Sequence, residues 1–159
     1  MYNDLTNNGH PIQHLVPAVV SATTTPAAGI DNSNIGSVLF HINIGALVNP
    51  DASDYYSIVV QISADDSSWA AITDADNIIF TIDGVKTDPE TIASGIMKKL
   101  DAGGDAAALY TVEYNGLAAY VQIEMIETSS AGDATCAVGI TAIRFNPSHR
   151  GATGMLPTD

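Results

Sequence analysis

Apolar residues occupy every second position in two stretches of the chain, the first at residues 38–45 and the second at residues 56–63. A period of two is the pattern of a β-strand that buries one face. Residues 48–54 between them contain Pro, Asn and Asp, which favour a loop. The apolar positions expected to face the core are Val38, Phe40, Ile42, Ile44, Tyr56, Ile58, Val60 and Ile62.

The rest of the chain is dominated by further strands and turns. Asp83-Gly84 and Asn115-Gly116 each predict a tight turn between two strands, and residues 134–145 predict the last strand. Several strands with regular turns predict a mostly β fold, a β-sandwich or a jelly-roll-like domain.

One short inserted α-helix is predicted at about residues 89–101. Pro89 suits the first helical position, and Ile92, Ile96 and Leu100 form an apolar stripe at helical spacing. Glycines at 103 and 104 would end the helix. We expect this helix to cover one end of the domain.

The N-terminal residues predict an extended arm. The domain organisation is an arm at 1–26, a β-sandwich domain at 27–146 and a tail at 147–159, because prolines at 11, 17 and 26 disfavour a central strand. An apolar arm must dock, either as an edge strand of its own domain or on a neighbouring subunit. The candidate partner-binding residues are Ile12, Leu15, Val16 and Val19.

The 159-residue length suits one domain. A net charge of −13 argues against nucleic acid and anionic membranes as partners, since both attract basic proteins. No apolar run approaches the ~20 residues of a membrane span, and the N-terminus lacks the basic and apolar regions of a signal peptide. The single cysteine, Cys136, has small or apolar neighbours and is expected to be a buried core thiol.

Candidate chemistry centres on Trp69, which is flanked by Asp65, Asp66, Asp74 and Asp76. Carboxylates beside an aromatic ring could bind a sugar or Ca²⁺. The structural alternative is that the carboxylates cap turns while Trp69 anchors the core.

Two histidines, His10 and His14, lie four residues apart, but no third ligand follows them. The chain also lacks the recognisable catalytic motifs. We therefore expect no enzyme activity, no cofactor and no metal.

Residues 29–31, 37–45 and 60–72 resemble a family of small structural proteins of tailed bacteriophages. The shared features are a strand ending in Gly45, the turn from Gln61 to Trp69 with its paired aspartates, and the following Asp-Ala-Asp at 74–76. The resemblance implies a virion protein, in particular a capsid decoration (cement) protein at the capsid surface, made in the cytoplasm of the host bacterium.

The partners that follow are the major capsid protein and further copies of the chain itself. The low charge density, the apolar arm and the resemblance together predict a homo-oligomer, expected to be a trimer. Two alternatives stay open. One is a tail or head–tail joining protein, and the other is a carbohydrate-binding β-sandwich that uses Trp69 with Asp65 or Asp66.

Overall fold

The computed structural model describes residues 9–33, 37–129 and 134–145. Within these ranges the chain forms β-strands joined by turns and three short 3₁₀ segments, Ala75–Asn77, Ile92–Ser94 and Gly103–Asp105. The strands are β1 (Gly9–Val20), β2 (Ile30–Asp31), β3 (Ser37–Val48), β4 (Tyr55–Ser63), β5 (Ala70–Ala71), β6 (Ile78–Ile82), β7 (Val85–Lys86), β8 (Ile96–Leu100), β9 (Leu109–Tyr114), β10 (Tyr120–Thr128) and β11 (Thr135–Phe145).

The strands form two antiparallel sheets, so the expectation of a mostly β fold is confirmed. The larger sheet has six strands in the order β1-β11-β3-β9-β6-β7. The smaller has the order β2-β10-β4-β5, and β8 pairs with β4 next to β5.

One hydrophobic core lies between the sheets. The alternating residues of β3 and β4 face it as expected, because Phe40, Ile42, Ile58 and Val60 are all fully buried. Side chains from both sheets belong to one continuous buried cluster, which gives the molecule its sandwich-like layering. Cys136 is also fully buried, as expected, and its burial raises the pKa of the thiol to about 12.

Most connections carry the chain from one sheet to the other, and two of them bear on the turns predicted from the sequence. The loop after β3 leads from the six-stranded sheet to β4 in the smaller one. The expectation that Asn115-Gly116 joins paired strands is wrong, since β9 and β10 also lie in different sheets. Asn32 fixes this second crossing by donating from Nδ2 to the carbonyls of Gly116 and Ala118 at 3.0 Å. The turn at Asp83-Gly84 does join the paired strands β6 and β7.

The prediction of a helix at about residues 89–101 is wrong. The segment contains the 3₁₀ turn Ile92–Ser94 and then strand β8, which pairs with β4. Gly95 separates the two with a left-handed φ of 69°, and its carbonyl accepts a hydrogen bond from the Val60 backbone N–H at 2.9 Å. Pairing with β4 therefore overrides a local pattern that a helix would also satisfy.

The segment expected to be an extended arm contributes an edge strand to its own domain. Strand β1 pairs antiparallel with β11 from Gly9↔Phe145 to Val20↔Cys136, with two register irregularities between Gln13 and Ala18. Of the two docking alternatives, the structure has the edge strand. Residues 1–8 of the arm and the tail at 147–159 lie outside the described residues.

Candidate functional site

The turn that follows β4 is held together by the Asp65 carboxylate. Its Oδ1 accepts hydrogen bonds from the backbone N–H groups of Ser68 at 2.8 Å and Ser67 at 3.0 Å, and from the Ser63 hydroxyl at 3.0 Å. Hydrogen bonds from Ser68, Ser67 and Ser63 hold the pKa of this exposed carboxyl well below its usual range. Asp65 therefore caps the turn.

The neighbouring carboxylate ties the same turn to a different segment. Asp66 has a left-handed φ of 58°, and its Oδ1 accepts a hydrogen bond from the Gly29 backbone N–H at 2.8 Å. The Trp69 indole lies against Gly29 so closely that a Cβ there would come within 2.3 Å of the ring. Trp69 is half-buried. The residues proposed for sugar contact thus also dock this turn against residue 29.

The four candidate partner-binding residues of β1 divide into two pairs. Ile12 and Leu15 are partly buried and pack against the core of their own domain. Val16 and Val19 point outward, with exposed fractions of 64% and 71%. Only the second pair offers apolar surface to a partner.

The free edge of β1 is a poor template for another strand. Pro11 and Pro17 have no backbone N–H to donate, and the strand departs from regular register on both sides of Leu15. Prolines and bulges are features that protect sheet edges from pairing with other chains. A partner would therefore contact the side chains of β1 rather than extend the sheet.

His14 connects the two sheets in a way that the sequence did not indicate. It lies on β1, and its Nε2 accepts a hydrogen bond from the backbone N–H of Ile123 in β10 at 3.1 Å. Along that edge of β10, the neighbouring pairs are Val121 with Ile30 and Met125 with Thr24. The imidazole thus takes the place of a backbone carbonyl as the hydrogen-bond acceptor for the Ile123 N–H.

The environment of His14 favours the neutral ring. The side chain is only 7% exposed and lies 5.1 Å, centroid to centroid, from Phe40. Burial lowers the pKa of His14 to about 4. Because Nε2 accepts a hydrogen bond, the neutral ring carries its proton on Nδ1, which is buried without a partner. This histidine has the features of a structural link between sheets.

Strand β8 is fixed by a small ionic cluster. Lys98 Nζ lies 2.8 Å from Glu90 Oε1 and 3.2 Å from Asp105 Oδ1. Glu90 also accepts from the Lys99 backbone N–H at 2.9 Å. These contacts pair the charged side chains of the segment in which a helix was predicted, so that the charges serve to hold the segment in place.

The outer face of the six-stranded sheet carries few charges. We define this outer face as two rows of paired residues that each cross β1, β11, β3, β9 and β6. The first row is Gln13, Thr141, His41, Thr111 and Thr81, and the second is Pro11, Ile143, Leu39, Glu113 and Ile79. Glu113 is the one carboxylate in these rows.

A shallow groove of about 360 Å³ adjoins the outer face between β1 and β3. Gly139 and Gly45 contribute no side chain to it, and the residues that line it are uncharged. Leu15, Pro17 and Val19 of β1 form one side, and Asn43 contributes to the other. The groove and the outer face form a continuous surface that is largely free of charge.

Within the described residues, no group of three or more His, Cys, Asp or Glu side chains is placed to hold a metal ion. The helical segments of the same residues are too short and insufficiently apolar to cross a membrane. Comparison of the chain with protein-family models, curated proteins and solved structures gave no match.

Proposed function

We propose that the protein is a non-catalytic structural component of a tailed bacteriophage particle, a capsid decoration protein that binds the major capsid protein at the capsid surface. Two packed antiparallel sheets suit this role, since a β-sandwich presents broad rigid faces to its neighbours. The sequence resemblance also supports the proposal. Three residues of the segments that carry it lie together in the fold, because both Asp66 and Trp69 contact Gly29.

The observation that carries the proposal is the exposure of Val16 and Val19 on the edge strand β1. Two valines with exposed fractions of 64% and 71% place apolar surface at the rim of the sheet. The prolines and irregular register of β1 protect its edge against open-ended strand pairing. An edge built in this way suits contact with a defined partner through its side chains.

Decoration stabilises a shell by adding buried surface between its subunits. Each Å² of apolar surface removed from water contributes about 25 cal/mol. A contact of several hundred Å² is therefore worth several kcal/mol before the costs of association. Repetition of that contact over the symmetric particle adds up, and the protein would act there as a homo-oligomer.

Purified particles of the phage that carries the gene provide the first test. Mass spectrometry should detect the protein in particles separated from lysate by density gradient, and labelled antibody should mark the head surface. Particles that lack the protein should release their DNA at a lower temperature, and adding the purified protein should restore the wild-type value. Absence of the protein from such particles would refute the proposal.

The contact through β1 has its own test. Val16→Asp with Val19→Asp should weaken binding to undecorated particles, because each substitution places a charge in an apolar contact. Val85→Asp is the matched control, since Val85 is 67% exposed on β7 at the opposite edge of the same sheet. Equal binding by both variants would show that β1 is not the contact. Substitution is preferable to deletion of residues 1–20, which would remove the strand that pairs with β11.

The alternative position at the tail or at the head–tail junction keeps the same structural class. Cryo-electron microscopy separates the two, because a decoration protein follows the icosahedral lattice while a joining protein sits at one vertex or along the tail.

The carbohydrate-binding alternative is supported by one observation, the partly exposed indole of Trp69. A sugar that stacks on this ring should shift and enhance its fluorescence, and Trp69→Ala should abolish retention on a glycan array. Unchanged emission across a panel of saccharides would exclude this alternative.

A further inference from the structure

The charges of this chain are unevenly distributed over its two sheets and its loops. The net charge is −13, yet the two rows of the outer face contain one carboxylate, Glu113. Acidic residues are instead found in the turns and on β10, at Asp51, Asp65, Asp66, Asp74, Asp76, Asp83, Asp88, Asp101, Glu124 and Glu127. The outer face is therefore the part of the surface where a second acidic molecule meets the least repulsion.

We propose that two copies of the chain pair through the outer face of the six-stranded sheet. A basic partner would be attracted to the carboxylate-rich turns and would find no charge complementarity on this face. A second copy, which also carries −13, needs a contact surface that excludes carboxylates. The inference rests on the proposed function only in that the protein works as an oligomer. It names the surface involved and puts a dimer in place of the trimer expected from the sequence, because one face that meets its own copy closes after two chains.

The size of the outer face is sufficient for a weak dimer. The four strands that overlap about an axis between β11 and β3 (β1, β11, β3 and β9) are spaced about 4.8 Å apart and, over about six residues of about 3.3 Å each, cover roughly 380 Å². Two copies would then bury on the order of 800 Å², which is the size of a weak, concentration-dependent interface. The uncharged groove extends the same surface toward one end of β1.

A contact between this face and its own copy requires two-fold symmetry. A single patch that meets its own copy forms an isologous dimer, whereas a closed trimer requires two different patches on each chain. With the axis between β11 and β3, Thr141 and His41 lie at the centre of the contact. Glu113, one strand beyond β3, falls toward the rim and keeps access to water.

Thr141→Glu tests this contact directly. Light scattering during size exclusion should give twice the chain mass of 16.5 kDa for the wild-type protein. A carboxylate at position 141 would be buried without a partner, so the variant should dissociate at least about tenfold more readily. Thr128→Glu is the matched control, because it adds the same charge at an exposed position of β10 on the other sheet. This control should remain dimeric.

A second measurement uses the unaltered protein and does not depend on the folding of a variant. Hydroxyl-radical labelling of Leu39 and Ile143 should fall as protein concentration rises through the dissociation range. Labelling of Leu117, which is fully exposed at the turn before β10, should stay constant.

Three results would overturn the inference: a wild-type monomer at the highest soluble concentration, equal association of Thr141→Glu and wild type, or a trimer. Failure to find the protein in phage particles would refute the proposed function but leave the dimer contact standing. A monomeric protein that decorates particles would refute the dimer contact but leave the decoration role standing.

Discussion

Acidification is expected to destabilise the fold through His14, and the structure gives the size of the effect. The unfolded chain binds a proton at this histidine near the ordinary pKa of 6.5, whereas the folded protein binds it near pKa 4. The stabilisation is therefore fully present above a pH of about 6.5 and is lost as the pH falls toward about 4. Protonation would also turn the Nε2 acceptor into a donor that faces the Ile123 N–H.

The magnitude follows from the separation of these two values. Each pH unit between them corresponds to about 1.4 kcal/mol, so the full interval of about 2.5 units is worth about 3.5 kcal/mol. At a pH of about 4.5 most of it, about 2.5 kcal/mol, is already lost. Such a change is a large fraction of the 5–15 kcal/mol total stability that is typical of a domain.

Other groups near His14 do not account for this window. Asp31 and Arg144 line a surface cleft together with His14. Hydrogen bonds from Ser33 lower the pKa of the Asp31 carboxyl, which loses its stabilising contribution only at lower pH, below its ordinary value of 3.8.

Urea unfolding of wild type and His14→Gln at pH values from about 7.5 to about 4.5 is the assay. The Gln side chain carries an oxygen acceptor for the Ile123 N–H and does not titrate in this range. The wild type should lose about 2.5 kcal/mol relative to the variant across the series. Parallel pH profiles for the two proteins would show that His14 does not cause the loss of stability, as would a His14 ring that titrates near pH 6.5 by NMR.

Three further outcomes test the packing and the turns. Gly95→Ala should lower the free energy of unfolding in urea by about 2–4 kcal/mol, because the φ of Gly95 is 69° and a Cβ would come 2.6 Å from the Val60 carbonyl oxygen. Gly103→Ala is the control and should lower it by less than about 0.5 kcal/mol, because a Cβ at Gly103 meets open space. Equal losses in the two variants would show that the backbone at Gly95 is not under this constraint. Asp65→Ala should loosen its turn and red-shift the Trp69 emission, whereas Asp51→Ala, which breaks a similar turn at the other end of β4, should leave the spectrum unchanged. Cys136 should react with a thiol reagent in urea but not in the native protein, and rapid native labelling would show that it is accessible.

Elements with a local signal could be predicted from the pattern of amino acids alone. Alternation placed the inward residues of β3 and β4 correctly, because a strand with one face in the core must repeat its apolar positions every two residues. The Asp83-Gly84 turn was correct for the same kind of reason, since a tight hairpin depends on the backbone freedom of the turn residues themselves.

Long-range packing selects which strands pair, and it selects the element that forms where the local sequence fits two structures equally well. The sequence around Ile96 fits either a helix or a strand, and its pairing with β4 selects the strand. Asn115-Gly116 carries a hairpin signal, but β9 and β10 find their partners in different sheets. Local sequence does not encode these choices, because the partner strands lie far away along the chain.

The candidate sites likewise combine features that the sequence predicts with features that appear only in the folded structure. The sequence alone identified Trp69 with its aspartates and the apolar residues of β1, since unusual side chains in a cluster are visible in a linear chain. It did not reveal that Asp66 accepts from Gly29 or that His14 bonds to Ile123, residue pairs separated by 37 and 109 positions. The nearly uncharged outer face likewise exists only after five separate strands are placed side by side, because each strand contributes just one residue to each row.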